Sequence, residues 1–210
     1  TVTMAGTLLT QPSSHRHLGI ILTPSLNLSP HIQHITSKFR GRVFLLNHMS
    51  NFLPFPAVNL LYKCYVRPLL EYAVPVWMFS VSATMSTTLD KLQATAARAY
   101  LNSKLKRRPD WTTSKEDLNV LSSWESLAWR RQILGLVYFH HVFSQYPSLL
   151  SHFQLPSSQS SRHPSSIILP KAGTFFRKST LFSLSVAWNK LPEDIRSLST
   201  TAKFSIAVRR

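Results

Sequence analysis

Apolar side chains that return every three or four residues constrain this 210-residue chain more than any other feature. Ile32, Ile35, Phe39, Val43 and Leu46 fall on one stripe of a helix, because 3.6 residues per turn stack them on a single face. The same period runs through Val58, Leu61, Tyr62, Tyr65 and Leu69. Pro68 and Pro75 predict a kink there, or two shorter helices, since proline removes a backbone donor. A further helix is expected from Thr84 to Leu101, with Leu89, Leu92, Ala96 and Tyr100 inward and an Ala-rich turn, Ala94 to Ala99, suited to a close neighbour. Another should run from Trp124 to Tyr146 on Leu127, Leu134, Val137, Tyr138 and His141, stopped by Pro147.

The remaining segments frame these helices. Val2 and Met4 alternate with Thr1 and Thr3, Ala5-Gly6 suggests a turn, and Thr7-Leu8-Leu9 resumes. His17 to Leu22 is rich in β-branched residues and bounded by Thr23-Pro24, so the first 24 residues predict a short β-hairpin. Ser29-Pro30 reads as an N-cap followed by Pro at the first helical position. Ser114-Lys115-Glu116-Asp117 resembles a capping box with Asp in place of Glu or Gln. Residues 151–170, rich in Ser and holding Pro156, Pro164 and Pro170, read as a linker. Beyond it, Phe175 to Trp188 is aromatic-rich, Leu191-Pro192-Glu193-Asp194 opens a short helix, and Trp188 and Phe204 should form a core. The expected fold is mainly α, with segments at 1–24, 25–110, 111–150, 151–170 and 171–210.

The charge is one-sided: 24 Lys and Arg against 8 Asp and Glu, a formal +16. With 44% hydrophobic residues the chain has more apolar surface than a disordered basic tail. The excess points to a polyanion, nucleic acid or an anionic membrane surface. Membrane binding is the weaker reading, because no apolar run approaches the ~20 residues of a span and the Trp and Phe are not gathered on one cationic helix. Six cations and no acid precede Glu71. Two of these, Lys38 and Arg42, join His31 and His34 at i, i+3, i+7 and i+11 to flank the first apolar stripe, either tracking phosphates or forming a solvated face. Lys63 and Arg67 repel mildly at i, i+4 unless a polyanion lies opposite, and Glu71 can pair with Arg67. Lys104, Lys106, Arg107 and Arg108 form a basic loop that suits a nucleic-acid patch, a nuclear-localisation-like run or plain exposure. Arg130-Arg131, near Trp124 and Trp129, can stack on indole or bury their stems in the core.

Catalytic chemistry is not evident. Polymerases, nucleases and glycosidases need carboxylates to hold metal ions or handle protons. The adjacent acids, Glu116-Asp117 and Glu193-Asp194, both sit at expected helix starts, where the dipole accounts for them. His15-x-His17, His31-x-x-His34 and His140-His141 have no Cys or carboxylate at metal-ligand spacing. There is no Gly-x-Ser-x-Gly elbow, and five Gly make no phosphate-cradling loop. Cys64, the single cysteine, excludes a disulfide framework and is expected as a small core residue. No catalytic residue, metal ligand or cofactor is therefore expected in this chain. The start at Thr1 without Met or signal-peptide pattern, and the stop at Arg209-Arg210 without a helix-ending signal, suggest a piece of a longer intracellular protein, nuclear or cytoplasmic.

An ordered series of short patterns adds to this. His17-Leu18-Gly19-Ile20-Ile21-Leu22 precedes Leu28-Ser29-Pro30-His31-Ile32, then Leu61-Tyr62 and Val66-Arg67-Pro68-Leu69-Leu70-Glu71-Tyr72-Ala73, ending at Val76-Trp77. Leu92-Gln93, Ala97-Arg98, Leu121, Trp124, Ser126-Leu127 and Arg130-Arg131 follow. Phe176-Arg177, Ala187-Trp188-Asn189-Lys190-Leu191-Pro192 and Phe204 close it. Over almost its whole length the chain resembles the C-terminal part of a non-LTR (LINE-type, jockey-like) retrotransposon reverse transcriptase, from the end of the palm through the thumb and beyond. The resemblance implies that 1–24 is a palm edge, 25–110 a thumb-like helical bundle, 111–150 post-thumb helices and 171–210 a C-terminal helical unit. It also implies that His17, Leu18 and Gly19 occupy a primer-grip-like position. Gly19 then marks either a close approach to nucleic acid or a bulge.

The family's Tyr/Phe-Ala-Asp-Asp motif is missing here, so the divalent metal, Mg, is expected only in a palm outside this chain. Implied partners are an RNA template, a DNA primer or their hybrid, and the palm and fingers; no membrane is implied. Alternatives are a host-retained nucleic-acid-binding or interaction protein, favoured by an expressed reading frame with its own Met near Thr1, and a non-functional relic, favoured by stop codons just upstream.

Overall fold

The computed structural model describes residues 2–4, 7–9, 12–106, 109–146, 166–169, 173 and 179–209. Most of the expected linker, together with Arg107, Arg108, Pro147, Phe175, Phe176 and Arg177, lies outside the described residues. The chain is mainly helical behind an N-terminal β element, as the periodicity predicts. That element is two hairpins rather than one. β1 (Val2–Met4) pairs antiparallel with β2 (Thr7–Leu9), and β3 (His15–His17) with β4 (Ile20–Leu22). Leu18 and Gly19 close the second with φ of 45° and 84°. Two positive φ values make a turn whose twist matches that of the flanking strands.

α1 (Ser29–Met49) buries the whole predicted stripe. Its N-cap is Leu28 rather than Ser29, which lies inside the first turn and donates its N–H to Asn27 Oδ1 at 2.9 Å. The break predicted from the prolines is real. α2 (Phe55–Leu61) loosens into a π-turn (Tyr62–Val66), where the Arg67 N–H reaches back five residues to the Tyr62 carbonyl at 2.8 Å. Pro68 cannot donate to the preceding turn, and α3 (Pro68–Glu71) starts there. Ala73, at φ 51°, turns the chain into α4 (Val74–Trp77), and a 3₁₀ turn covers Met78–Ser80.

α5 (Ala83–Leu105) is capped by Ser82, whose Oγ accepts the Met85 N–H. At α6 (Lys115–Ser122) Ser114 accepts the Asp117 N–H at 3.0 Å and donates its hydroxyl to the Asp117 carboxylate at 2.7 Å. Asp117, shorter than Glu by one methylene, thus takes up the cap hydroxyl. α7 (Leu127–Gln145), α8 (Thr180–Asn189), α9 (Glu193–Arg196) and α10 (Thr201–Ala207) complete the described helices.

Two cores form. In the first, the α1 stripe, Val58, Tyr62, Val66, Leu70, Trp77 and the Leu89–Leu101 face of α5 enclose one another, roofed by Leu118, Trp124 and Leu127. Tyr62 stacks on Trp124 at 3.7 Å, and the indole N–H donates to Asn59 Oδ1 at 3.0 Å. In the second, Ile133, Leu136 and Phe139 of α7 meet Leu184, Trp188, Phe204 and Val208. α7 therefore serves both cores, and this corrects its expected face. Tyr138 and His141 are exposed, whereas Ile133, Leu136, Phe139 and His140 are buried. His140 is a satisfied core residue, Nε2 at 2.8 Å from the Leu198 carbonyl and its ring stacked on Phe204. Cys64 is also a correction: it lies exposed on the π-turn, two residues from each of the buried Tyr62 and Val66 and so on the opposite side of the helix.

Candidate nucleic-acid interface

The β3–β4 hairpin leans on α1 and on the elbow between α3 and α4. The Tyr72 hydroxyl donates to the Leu18 carbonyl at 2.6 Å, fixing the turn. Gly19 faces the same ring: a Cβ placed there would lie 3.4 Å from Tyr72 Cε1. Between hairpin and helix opens a cleft of about 250 Å³, lined by Arg16, Gly19, His31, His34, Lys38 and Arg42 over Ile35, Pro68, Leu69 and Tyr72. None of its lining residues is acidic.

The predicted flank of α1 thus converges on one cavity, with a gradient of exposure that spacing did not foretell. His31 is 2% exposed, packed edge-on against Trp77, with Nδ1 3.5 Å from the Ile21 N–H. That acceptor role leaves the imidazole proton on Nε2, which is buried without a hydrogen-bond partner, as is His34 Nε2. Burial, then the charges of His34 and Arg16, hold the His31 imidazole below its ordinary pKa. Burial, Lys38 and Arg16 do the same to His34. Both are neutral near pH 7, and an anion in the cleft would reverse the cationic contribution to each shift. Lys38 is exposed. Arg42 is half-buried, its guanidinium 4.1 Å from the Tyr65 ring centroid and donating to the Tyr65 carbonyl in the π-turn.

The other sequence candidates lie apart from this cavity. His17 is exposed on β3, and Leu18 at the hairpin tip is exposed too. Lys63 is exposed on the π-turn. Arg67 is bound to Glu71 at 3.0 Å, and Glu71 also takes Arg130 at 2.6 Å, which reaches on to Glu125. Lys104 is exposed with Nζ 5.9 Å from the Tyr100 ring centroid, and Lys106 ends α5 at φ 53°. Arg130 and Arg131 turn inward to carboxylates and core rather than stacking on Trp. Sequence reasoning passed over Arg16, and it read Tyr72 as a packing residue of the motif series rather than as part of a site. Arg16 is a lone cation between two histidines in a short strand, and only the antiparallel register turns it toward α1.

Among the described residues no three His, Cys, Asp or Glu come together as a metal site, and no helix is long and apolar enough to cross a membrane. Glu116 and Asp117 sit in the first turn of α6, Glu193 and Asp194 in that of α9.

Over 100 residues, 46% of this chain, the sequence is 33% identical to the RNA-directed DNA polymerase from mobile element jockey of Drosophila funebris. The match covers 10% of that polymerase. The similarity supports a relation to a retrotransposon reverse transcriptase. No family model matches, and no solved structure matches.

Proposed function

We propose that this chain is a nucleic-acid-binding part of a retroelement reverse transcriptase, thumb-like over residues 25–110, and without polymerase activity by itself. The observation that carries the reading is the acid-free cleft, in which Arg16, Lys38 and Arg42 surround two imidazoles whose Nε2 atoms are buried without a partner. Phosphate is the ligand such a cleft suits, since charge-assisted bonds to Arg and Lys are the strong ones and neutral His adds N–H donors. A template–primer duplex would lay its backbone across the hairpin and α1. The acids here do not fit a two-metal centre: most are held at helix starts or in ion pairs such as Arg67–Glu71–Arg130. Asp90 and Asp110 lie apart in α5 and a loop, and no three His, Cys, Asp or Glu among the described residues come together. Nucleotide addition is accordingly assigned to a palm outside this chain.

The test is the anisotropy of a labelled RNA–DNA hybrid. With three phosphates neutralised, affinity should fall about 40-fold between 50 and 200 mM salt, from a slope near −0.9 per contact. Lys38→Ala, at an exposed position, should reduce that slope by about one. Affinity flat in salt, or a Lys38→Ala variant with unchanged slope, would overturn the proposal.

A further inference from the structure

A second cleft, of about 330 Å³, lies where α7, α8 and the 3₁₀ turn meet, and it shares no lining residue with the first. Gly135 explains how tightly these elements close beneath it: a Cβ there would come within 2.8 Å of Met78 Sδ and 2.9 Å of Leu184 Cδ2. Arg131 lines the cleft although only 7% of its surface is exposed. Its Nη2 stands 3.5 Å from Ser86 Oγ, the limit of a hydrogen bond, and its Nη1 is buried with no partner among the described residues. No carboxylate among the described residues is within ion-pair distance of it. Burial lowers the guanidinium's pKa, with Asp90 acting in the opposite sense from a distance. A cation this buried with no carboxylate in contact is costly, and its fork of donors matches one. Lys190, exposed at the end of α8, adds a second positive charge at the rim, and the lining holds no acid.

We propose that this cleft docks an acidic polypeptide segment, with one Asp or Glu carboxylate on Arg131 and flanking apolar side chains against Met78, Phe79 and Leu184. Charge complementarity selects an anion. The apolar walls select a peptide over a nucleic-acid backbone, whose riboses would desolvate against Phe79 and Leu184 without finding partners.

The probe is a blocked tripeptide, acetyl-Leu-Glu-Leu-amide, titrated into the isotope-labelled full chain and followed by NMR, beside its Leu-Gln-Leu counterpart. The Glu peptide should shift the Arg131 Nε–H and the Leu184 and Ala187 amides saturably and bind at least ~10-fold more tightly than the Gln peptide, as expected for pairing a buried charge. Arg131→Gln should erase the preference for Glu. Lys190→Gln, at the exposed rim, should weaken the Glu peptide about 2- to 3-fold. Should Arg131→Gln fail to fold, the Glu/Gln preference and the Lys190→Gln effect decide between the outcomes. Equal binding of the two peptides, a preference that survives in Arg131→Gln, no effect of Lys190→Gln, or displacement of the Glu peptide by an RNA–DNA hybrid would overturn the proposal, the last by showing a phosphate site instead.

Discussion

Leu18 and Gly19 show how one pair of residues places a surface. Both hold positive φ, which a leucine adopts at a cost of about 1–2 kcal/mol and glycine does not. Gly19→Ala should destabilise the fold by about 1 kcal/mol, through strain and its approach to Tyr72, whereas Leu18→Gly should be neutral or stabilising. Urea titration of both variants checks the pair. His31 supplies a second residue-scale expectation. Its pKa is depressed in the folded chain, so the unfolded chain binds the proton more readily. Stability contributed by neutral His31 is complete above the unfolded value of 6.5 and is lost as pH falls below it toward the depressed folded value. Denaturant midpoints should therefore drop between about pH 7 and 5. His31→Asn should flatten the curve, and an unchanged curve would show that His31 does not titrate in this way.

At the scale of elements, α1 was legible because its stripe follows a single period and packs into a single core. Every one of Ile32, Ile35, Phe39, Val43 and Leu46 is buried. The α5 face was legible for the same reason, and its alanines set the separation from its neighbours. Ala96→Leu should cost about 1–3 kcal/mol by overpacking a position with no exposed surface, measured as a fall in denaturation midpoint. α7 was harder to read. It presents Leu127 to one core and Ile133, Leu136 and Phe139 to another, so its apolar residues spread around the helix and no single stripe marks its buried face. The cationic flank of α1 was visible in the spacing, but the burial of His31 was not, because it depends on a hairpin and a Trp distant in sequence. Cys64 misled by residue type: free Cys is among the most buried residues, yet its spacing from Tyr62 and Val66 already sets it on the other side of the helix.

Across the whole molecule three of the eight carboxylates tie arginines in place. Glu71 gathers Arg67 and Arg130, Glu125 shares Arg130, and Glu193 holds Arg196. The hairpin and the outer side of α1 have no acid from their own sequence, which is the first 70 residues' entire acid count of zero made spatial. The two cores meet along α7, so they should lose structure together. Trp188, 1% exposed and ringed by Phe139, Phe143 and Phe204, anchors the second core. Trp188→Ala should cost about 3–5 kcal/mol. Circular dichroism and fluorescence of the four remaining Trp, of which Trp77 and Trp124 lie in the first core, should report the same lowered midpoint. Two separated transitions would show that α7 does not couple the cores.

The widened turn after α2 has a practical consequence. It carries the chain's sole thiol on its exposed side, one residue before the carbonyl that Arg42 holds at the edge of the cationic cleft. A maleimide dye on Cys64 would attach at a single point without mutagenesis. It would sit beside the cleft rather than inside it, reporting by its own brightness when a ligand arrives.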